Sequence, residues 1–230
     1  TPANTGVADY SNYRFTVTSK NTDVLEINGY RGLVYRPLPG SSSEKVEFTI
    51  TMTSRADSSL SVSKDMQITV IPLEQKEIDD ALKLMEAVKV NYTEALLGEN
   101  TDKDNVTKNL KTFRQAIFAE DGNSLIYSRN INEDKDYGIL VDDLPGSEPG
   151  GPGYEQWRVF RSSRPNILEH EVLRLRQPEY NTNVKVDSCL THKILGKYAN
   201  KHPENEDFKK LYKQPISATF TVIGEKGDNG

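Results

Sequence analysis

The chain has 230 residues, with 29 Lys and Arg against 34 Asp and Glu, a net charge of −5 and 35% hydrophobic residues. That is a globular composition, long enough for a packed core. The basic residues are interleaved with acids, which speaks against nucleic acid as a partner because counterion release needs a concentrated basic surface, and no apolar run reaches the ~18 residues of a membrane span.

The opening, "TPANTGVADYSNY", has no Met and reads as that of a trimmed fragment. Residues 13–71 read as short strands. Phe15 and Val17 alternate with Arg14, Thr16 and Thr18. Val46, Phe48, Ile50 and Met52 alternate with Glu47, Thr49 and Thr51, and Met66, Ile68 and Val70 repeat the device. Period two marks strands with one buried face. Turn formers, "NGYRG" and "LPGSSS", lie between them.

At Pro72 the period changes. Ile78, Ala81, Leu82, Met85, Val88, Tyr92, Ala95 and Leu96 fall at helical spacing, with acids crowding the start and Gly98 at the end. This predicts a helix within 72–97 that packs through Leu82, Met85 and Val88. Val106, Leu110, Phe113 and Ile117 give a second helical stripe over 104–120, with Asp104 as its cap. A polar stretch follows, ending in the loop "GSEPGGPG". A third helical region is expected over 192–213, with Tyr198, Phe208, Leu211 and Tyr212 as packing residues.

Four blocks of sequence recur in order. Residues 18–26 ("TSKNTDVLE") match 161–169 ("RSSRPNILE"). "LVYRP" (33–37) faces "LRLRQP" (173–178), "KVEFTITMTS" (45–54) faces "NVKVDSCLTH" (183–192), and "MQITVIP" (66–72) faces "ATFTVIG" (218–224). This block order resembles the atrophied bacterial immunoglobulin-like domains, tandem modules of Gram-positive surface proteins and secreted enzymes. Their pattern includes a helix, a segment like W-S-S-x-N-P-x-V-I, a G-x-V-x-R-P turn and a last strand ending V-T-V. The second copy supplies Trp157, Ser162, Ser163, Pro165, Ile167 and Leu168. The first supplies Ser19, Asn21, Val24, Leu25, Gly32, Val34, Arg36 and Pro37, with Phe15 where the Trp would stand and without the preceding helix and first strands.

The resemblance implies a mainly β fold of two tandem immunoglobulin-like sandwiches. The expected limits are 1–73 for the first, 74–224 for the second with its added helices, and 225–230 for a tail or linker. It also implies that Trp157 and Phe160 face the core, that Ser162 and Ser163 bond local backbone, and that Pro165 fixes a bend.

Chemistry is sparse. Cys189 is the only cysteine and reads as a strand residue rather than a nucleophile. His170, His192 and His202 sit in no triad motif, and no Gly-x-Ser-x-Gly exists. The acidic runs "ENTDKDN" and "NEDKD" read as solvated loops, since the spacing of a calcium-binding EF-hand is missing. No enzyme activity, catalytic residue, cofactor or metal is therefore expected.

The function expected is that of a non-catalytic segment at a bacterial cell surface or in a secreted protein. It would bind a host extracellular protein, immunoglobulin among the candidates, or a glycan, beside neighbouring immunoglobulin-like domains of the same chain. A structural spacer and an accessory module of a secreted carbohydrate-active enzyme are the alternatives. The second copy spends residues 193–213 on a connection the first makes with "SRADSSLSVSK". Its Tyr198, Lys201, Phe208, Lys209 and Tyr212 are the candidate ligand contacts, by the enrichment of aromatic anchors at interfaces.

Overall fold

The computed structural model describes residues 11–29, 31–132, 135, 137–145 and 158–228. The chain divides into two compact units, Thr1–Glu77 and Ile78–Gly230. Strands make up 36% of the protein and helices 17%, and the sheets are antiparallel, so the fold is mainly β.

The first unit contains strands β1 (Tyr13–Ser19), β2 (Leu25–Asn28), β3 (Arg31–Val34), β4 (Glu44–Ser54) and β5 (Ser61–Val70). They form a three-stranded sheet, β1-β4-β5, and a two-stranded ribbon, β2-β3. One face of the sheet is polar: Thr49 donates to Asp65 at 2.6 Å, and Lys20 bridges Glu47 and Asp65. On the other face Val46 and Val70 pack with Val24 and Leu25, and Ile27, Val34, Phe48 and Ile68 join them. Arg36 ties the exit of the unit. Its guanidinium donates to the carbonyls of Ile71 (3.1 Å) and Pro72 (2.6 Å) and pairs with Glu77 at 2.7 Å. Glu77 also accepts from the Glu74 N–H at 2.8 Å, the reach-back contact of a capping box.

Helices α1 (Gln75–Val90) and α2 (Tyr92–Leu97) follow, and then strands β6 (Gln115–Phe118), β7 (Leu125–Ser128), β8 (Ile139–Asp142), β9 (Arg161–Ser162) and β10 (Thr182–His192). After β10 come a short 3-10 turn (Leu195–Lys197), helices α3 (Tyr198–Lys201) and α4 (Glu206–Lys210), and strand β11 (Gln214–Val222). The six strands make one sheet in the order β11-β10-β8-β6-β7, with β9 on β10. The core beneath it holds Tyr92, Phe113, Phe160, Phe220, Met85, Leu96, Leu168 and Leu190, all under 2% exposed.

The four recurring blocks occupy equivalent places in the two units, down to the register. Ser19 faces Phe48 across β1–β4, and Ser162 faces Val186 across β9–β10. Glu44 faces Val70 across β4–β5, and Thr182 faces Val222 across β10–β11. The irregular hydrogen bonds recur as well. Lys20 N–H donates to Glu47 O (2.9 Å) and Ser163 N–H to Lys185 O (2.8 Å). Leu25 N–H donates to Asn21 O (2.9 Å) and Leu168 N–H to Arg164 O (3.0 Å). Tyr35 N–H donates to Val24 O (2.8 Å) and Arg176 N–H to Ile167 O (2.7 Å), while Leu73 and Glu225 N–H donate to Pro37 and Pro178 O. Ser19 and Ser162 hydroxyls each accept the N–H two residues on, both at 3.1 Å. The buried quartet Val24, Leu25, Val46 and Val70 corresponds to Ile167, Leu168, Val184 and Val222, every one of them buried.

Several sequence expectations are corrected. No helix occupies 104–120. That segment is extended, and its last part is β6. Val106, Leu110 and Phe113 are buried, but their backbone partners are tertiary. Val106 N–H donates to Thr221 O, Leu110 N–H to Leu173 O and Arg114 N–H to Ser128 O. A spacing of three and four over a short run reads equally as helix or as extended chain with separate docking points. Asp104 consequently caps nothing and pairs with Lys103. The expected helix over 72–97 is present as α1 and α2, but it buries Leu84 with Met85 and Val88, while Leu82 is half-buried. The polar stretch before the glycine-rich loop hides β8, which lies inside the sheet between β10 and β6. Within the described part of the expected tail, residues 225–228, Lys226 N–H donates to Glu179 O and Gly227 O accepts from Asn181 N–H.

Candidate functional site

The bend 157–169 is a structural corner over its described part; Trp157 itself lies outside the described residues. Val159 and Phe160 are buried, and both N–H groups donate to Glu171 Oε1, at 2.9 and 3.4 Å. Burial holds the Glu171 carboxyl above its ordinary pKa, against the pull of those two donors. Ser162 is buried and accepts from Arg164 N–H; Ser163 Oγ accepts from Lys185 N–H at 2.9 Å. Both hydroxyls therefore serve backbone groups, as serines do in turns. His170 Nδ1 accepts from Ser162 N–H at 3.0 Å rather than from a hydroxyl.

The connection 193–213 is built on β10 by a second set of local bonds. His192, at the end of the strand, is 5% exposed, and its Nδ1 accepts from the N–H of Leu195 at 3.1 Å. Burial pushes the imidazole down to about 4, so the ring is a neutral acceptor. Thr191 Oγ1 donates to Asp142 Oδ2 at 2.9 Å and accepts from Lys213 N–H at 3.0 Å, clasping both ends of the connection. Gly196 is required where the chain crosses. A Cβ there would lie 2.6 Å from Thr191 Cγ2 and 2.8 Å from Leu211 O. Asn205 caps α4 by accepting from Asp207 and Phe208 N–H.

Of the five candidate contact residues, the structure separates two from three. Tyr198 (1% exposed) and Phe208 (0%) point inward, with ring centroids 5.1 Å apart and His202 beside both. A ligand cannot touch them without unpacking the connection. They seal it, together with buried Leu195 and Leu211. Lys201 and Tyr212 are half-buried at the rim, and Lys209 is exposed, paired with Glu206 at 2.6 Å. The structure thus leaves a small basic and aromatic rim, not an aromatic patch.

A feature the sequence reading missed lies beside α2. A cleft of about 780 Å³ is lined by Glu99, Thr107, Lys108, Lys111, Arg129 and Gln177 among others. A shallower cleft of about 420 Å³ shares Gly98 and Lys111 with it and reaches Tyr127. Lys108 is paired with Glu99 at 3.2 Å. The extended course of 105–114 brings these groups together, so the helical reading of that segment concealed them. The spacing of Lys108 and Lys111 before Arg129 carries no signal of its own.

Among the described residues no group of three His, Cys, Asp or Glu is placed to hold a metal ion. Asp102 accepts the Asp104 N–H, and Glu133, Asp134 and Asp136 of the second acidic run lie outside the described residues. No helix among them is long and apolar enough to cross a membrane. Cys189 is buried, its thiol donating to Asp143 O at 3.2 Å, and burial pushes it up to about 12. Compared with known proteins, the chain matches no family model, no curated protein and no solved structure.

Proposed function

We propose that the two units are copies of one immunoglobulin-like module, and that the second is a non-catalytic binding segment of an extracellular bacterial protein. Its ligand is a host protein or a glycan, immunoglobulin being one concrete candidate. The observation that carries this reading is the elaboration of the second copy. The first copy joins β4 to β5 through residues 55–60, whereas the second joins β10 to β11 through 193–213 on the same strand register. An interstrand connection needs only a turn. The added chain leaves Lys209 exposed and Lys201 and Tyr212 half-buried on a base sealed by Tyr198 and Phe208, a form that suits an interface held by a scaffold.

The test is a triple variant, Lys201→Glu, Lys209→Glu and Tyr212→Ala, which leaves the sealing residues in place. Binding of purified immunoglobulin G and of mucin is measured for both forms on a sensor surface. The proposal expects saturable capture of one of them by the native chain and at least tenfold weaker capture by the variant. Equal capture by a folded variant rules the rim out, and no capture of either probe favours the spacer.

A further inference from the structure

Strand β7 is an edge of the six-stranded sheet. Ala119 N–H donates to Ser124 O at 2.8 Å, and Ile117 faces Ile126 two residues along the same ladder. In an antiparallel pair the backbone groups of alternate residues turn toward the partner strand. Ser124, Ile126 and Ser128 therefore serve β6, while the N–H and C=O groups of Leu125 and Tyr127 turn away from it. These outward groups have no backbone partner among the described residues. Such a row of donors and acceptors is a template for another strand. Ile126 lies on the opposite face of β7 from Leu125 and Tyr127 and is 47% exposed, so the edge has an apolar flank as well.

This edge borders the two clefts beside α2. The shallower one has Leu125 and Tyr127 in one wall and Glu94, Ala95 and Gly98 in the other. Lys111 joins it to the deeper cleft, which Arg129, just beyond the end of β7, helps to line. The groove therefore follows β7 along its length. Its floor is fixed by local bonds: Lys111 N–H donates to Leu96 O at 2.8 Å, and Asn100 Oδ1 accepts from the N–H groups of Thr107 and Lys108. Lys108 is paired with Glu99. The ammonium of Lys111 and the guanidinium of Arg129 are exposed and have no ion pair or hydrogen bond among the described residues. Two free positive charges in one part of the groove favour an acidic occupant there, and Glu94 disfavours one in the shallower part.

We infer that β7 is a docking edge for an extended acidic peptide of a partner protein, which adds a strand to the sheet along this groove. The peptide backbone pairs with Leu125 and Tyr127, one Glu or Asp side chain meets Lys111 and Arg129, and an apolar side chain next to it in sequence covers Ile126, because successive residues of a strand point to opposite faces. Alternating backbone donors and acceptors match a peptide and not a sugar, which decides between the two as the occupant of this groove. The site stands apart from the rim on 193–213 and does not depend on its reading.

The test titrates the ¹⁵N-labelled full chain with a short synthetic peptide of alternating Glu and Val. Two N-methylated forms of the peptide block alternate sets of its amides, and only one set can face β7. Saturable shifts and slowed exchange of the Leu125 and Tyr127 amides support the docking edge. So does binding at least tenfold weaker for a Lys111→Glu, Arg129→Glu chain, for a Lys and Val peptide, and for one N-methylated form but not the other. Unchanged amide positions outside the groove show that the double variant is folded. Equal binding by the two N-methylated forms, strong or weak, overturns the strand pairing, and so does a double variant or a Lys and Val peptide that binds as well. No shift at millimolar peptide overturns it too. Oligogalacturonate that shifts Lys111 and Arg129 where the peptide does not gives the groove to an acidic glycan instead.

Discussion

Protonating His192 should release the connection that carries the rim. The ring is 5% exposed, and its Nδ1 is the acceptor for the turn that starts the connection. Its pKa is pushed down to about 4 by burial, whereas an unfolded histidine titrates near 6.5. Above pH 6.5 the ring is neutral in both states and its stability contribution is complete. As pH falls the unfolded chain takes the proton and the folded chain does not, so stability is lost between about 6.5 and 4 and the loss levels off below. Linkage puts the cost at about 2.5 kcal/mol by pH 4.5. His192→Asn keeps an acceptor near Nδ1 and removes the titration.

Other groups titrate nearby. Asp143 and Glu171 are raised by burial and act with the opposite sign, while Asp65 and Asp121 are lowered, first by bonds from Thr49 and Ser124, and act at lower pH. All are common to both proteins, so the difference isolates His192. The assay is urea unfolding followed by the fluorescence of the single Trp, at pH 7.0 and 4.5. The native chain should lose about 2.5 kcal/mol more than the variant. Parallel losses would refute the reasoning.

Three further outcomes are expected. Leu84→Ala should cost ~2–5 kcal/mol and Leu82→Ala clearly less, read by the same unfolding assay, because Leu84 is buried and Leu82 is not. Tyr92→Phe strands the buried Ser188 hydroxyl, and should lower stability by ~1–3 kcal/mol, a loss that Ser188→Ala in the same chain should partly restore. Alkylation of Cys189 in the folded protein should be far slower than in urea, since the thiol is buried and its ionisation suppressed; fast labelling of the native chain counts against the placement of β10.

The strands around Phe15, Phe48 and Ile68 were legible because each has one apolar and one polar face, which period two reports directly. The recurring blocks were legible because Ser19 and Ser162, or Leu25 and Leu168, do the same backbone work in both units. Residues 104–120 were misread because Val106, Leu110 and Phe113 dock on Thr221, Leu173 and Ser128 neighbourhoods far off in sequence, and local spacing cannot reveal distant partners. β8 was hidden because a central strand four residues long needs no alternation. Tyr198 and Phe208 were read both as packing residues and as candidate contacts, because an aromatic in a polar stretch suits either place on paper. What turns them inward is Gly196, His192 and the Asn205 cap acting together, and no single one of these signals a packed connection. The cleft at Lys111 and Arg129 depended on the same misread segment.

The central claim is that both units repeat one set of backbone bonds. Amide hydrogen exchange read residue by residue tests it most directly, at Lys20 and Ser163, Leu25 and Leu168, Tyr35 and Arg176, and Leu73 and Glu225. The account predicts that all eight amides are protected well beyond the amide of Ser58, in the exposed turn between β4 and β5. Protection of one member of these pairs with free exchange of its counterpart would contradict it.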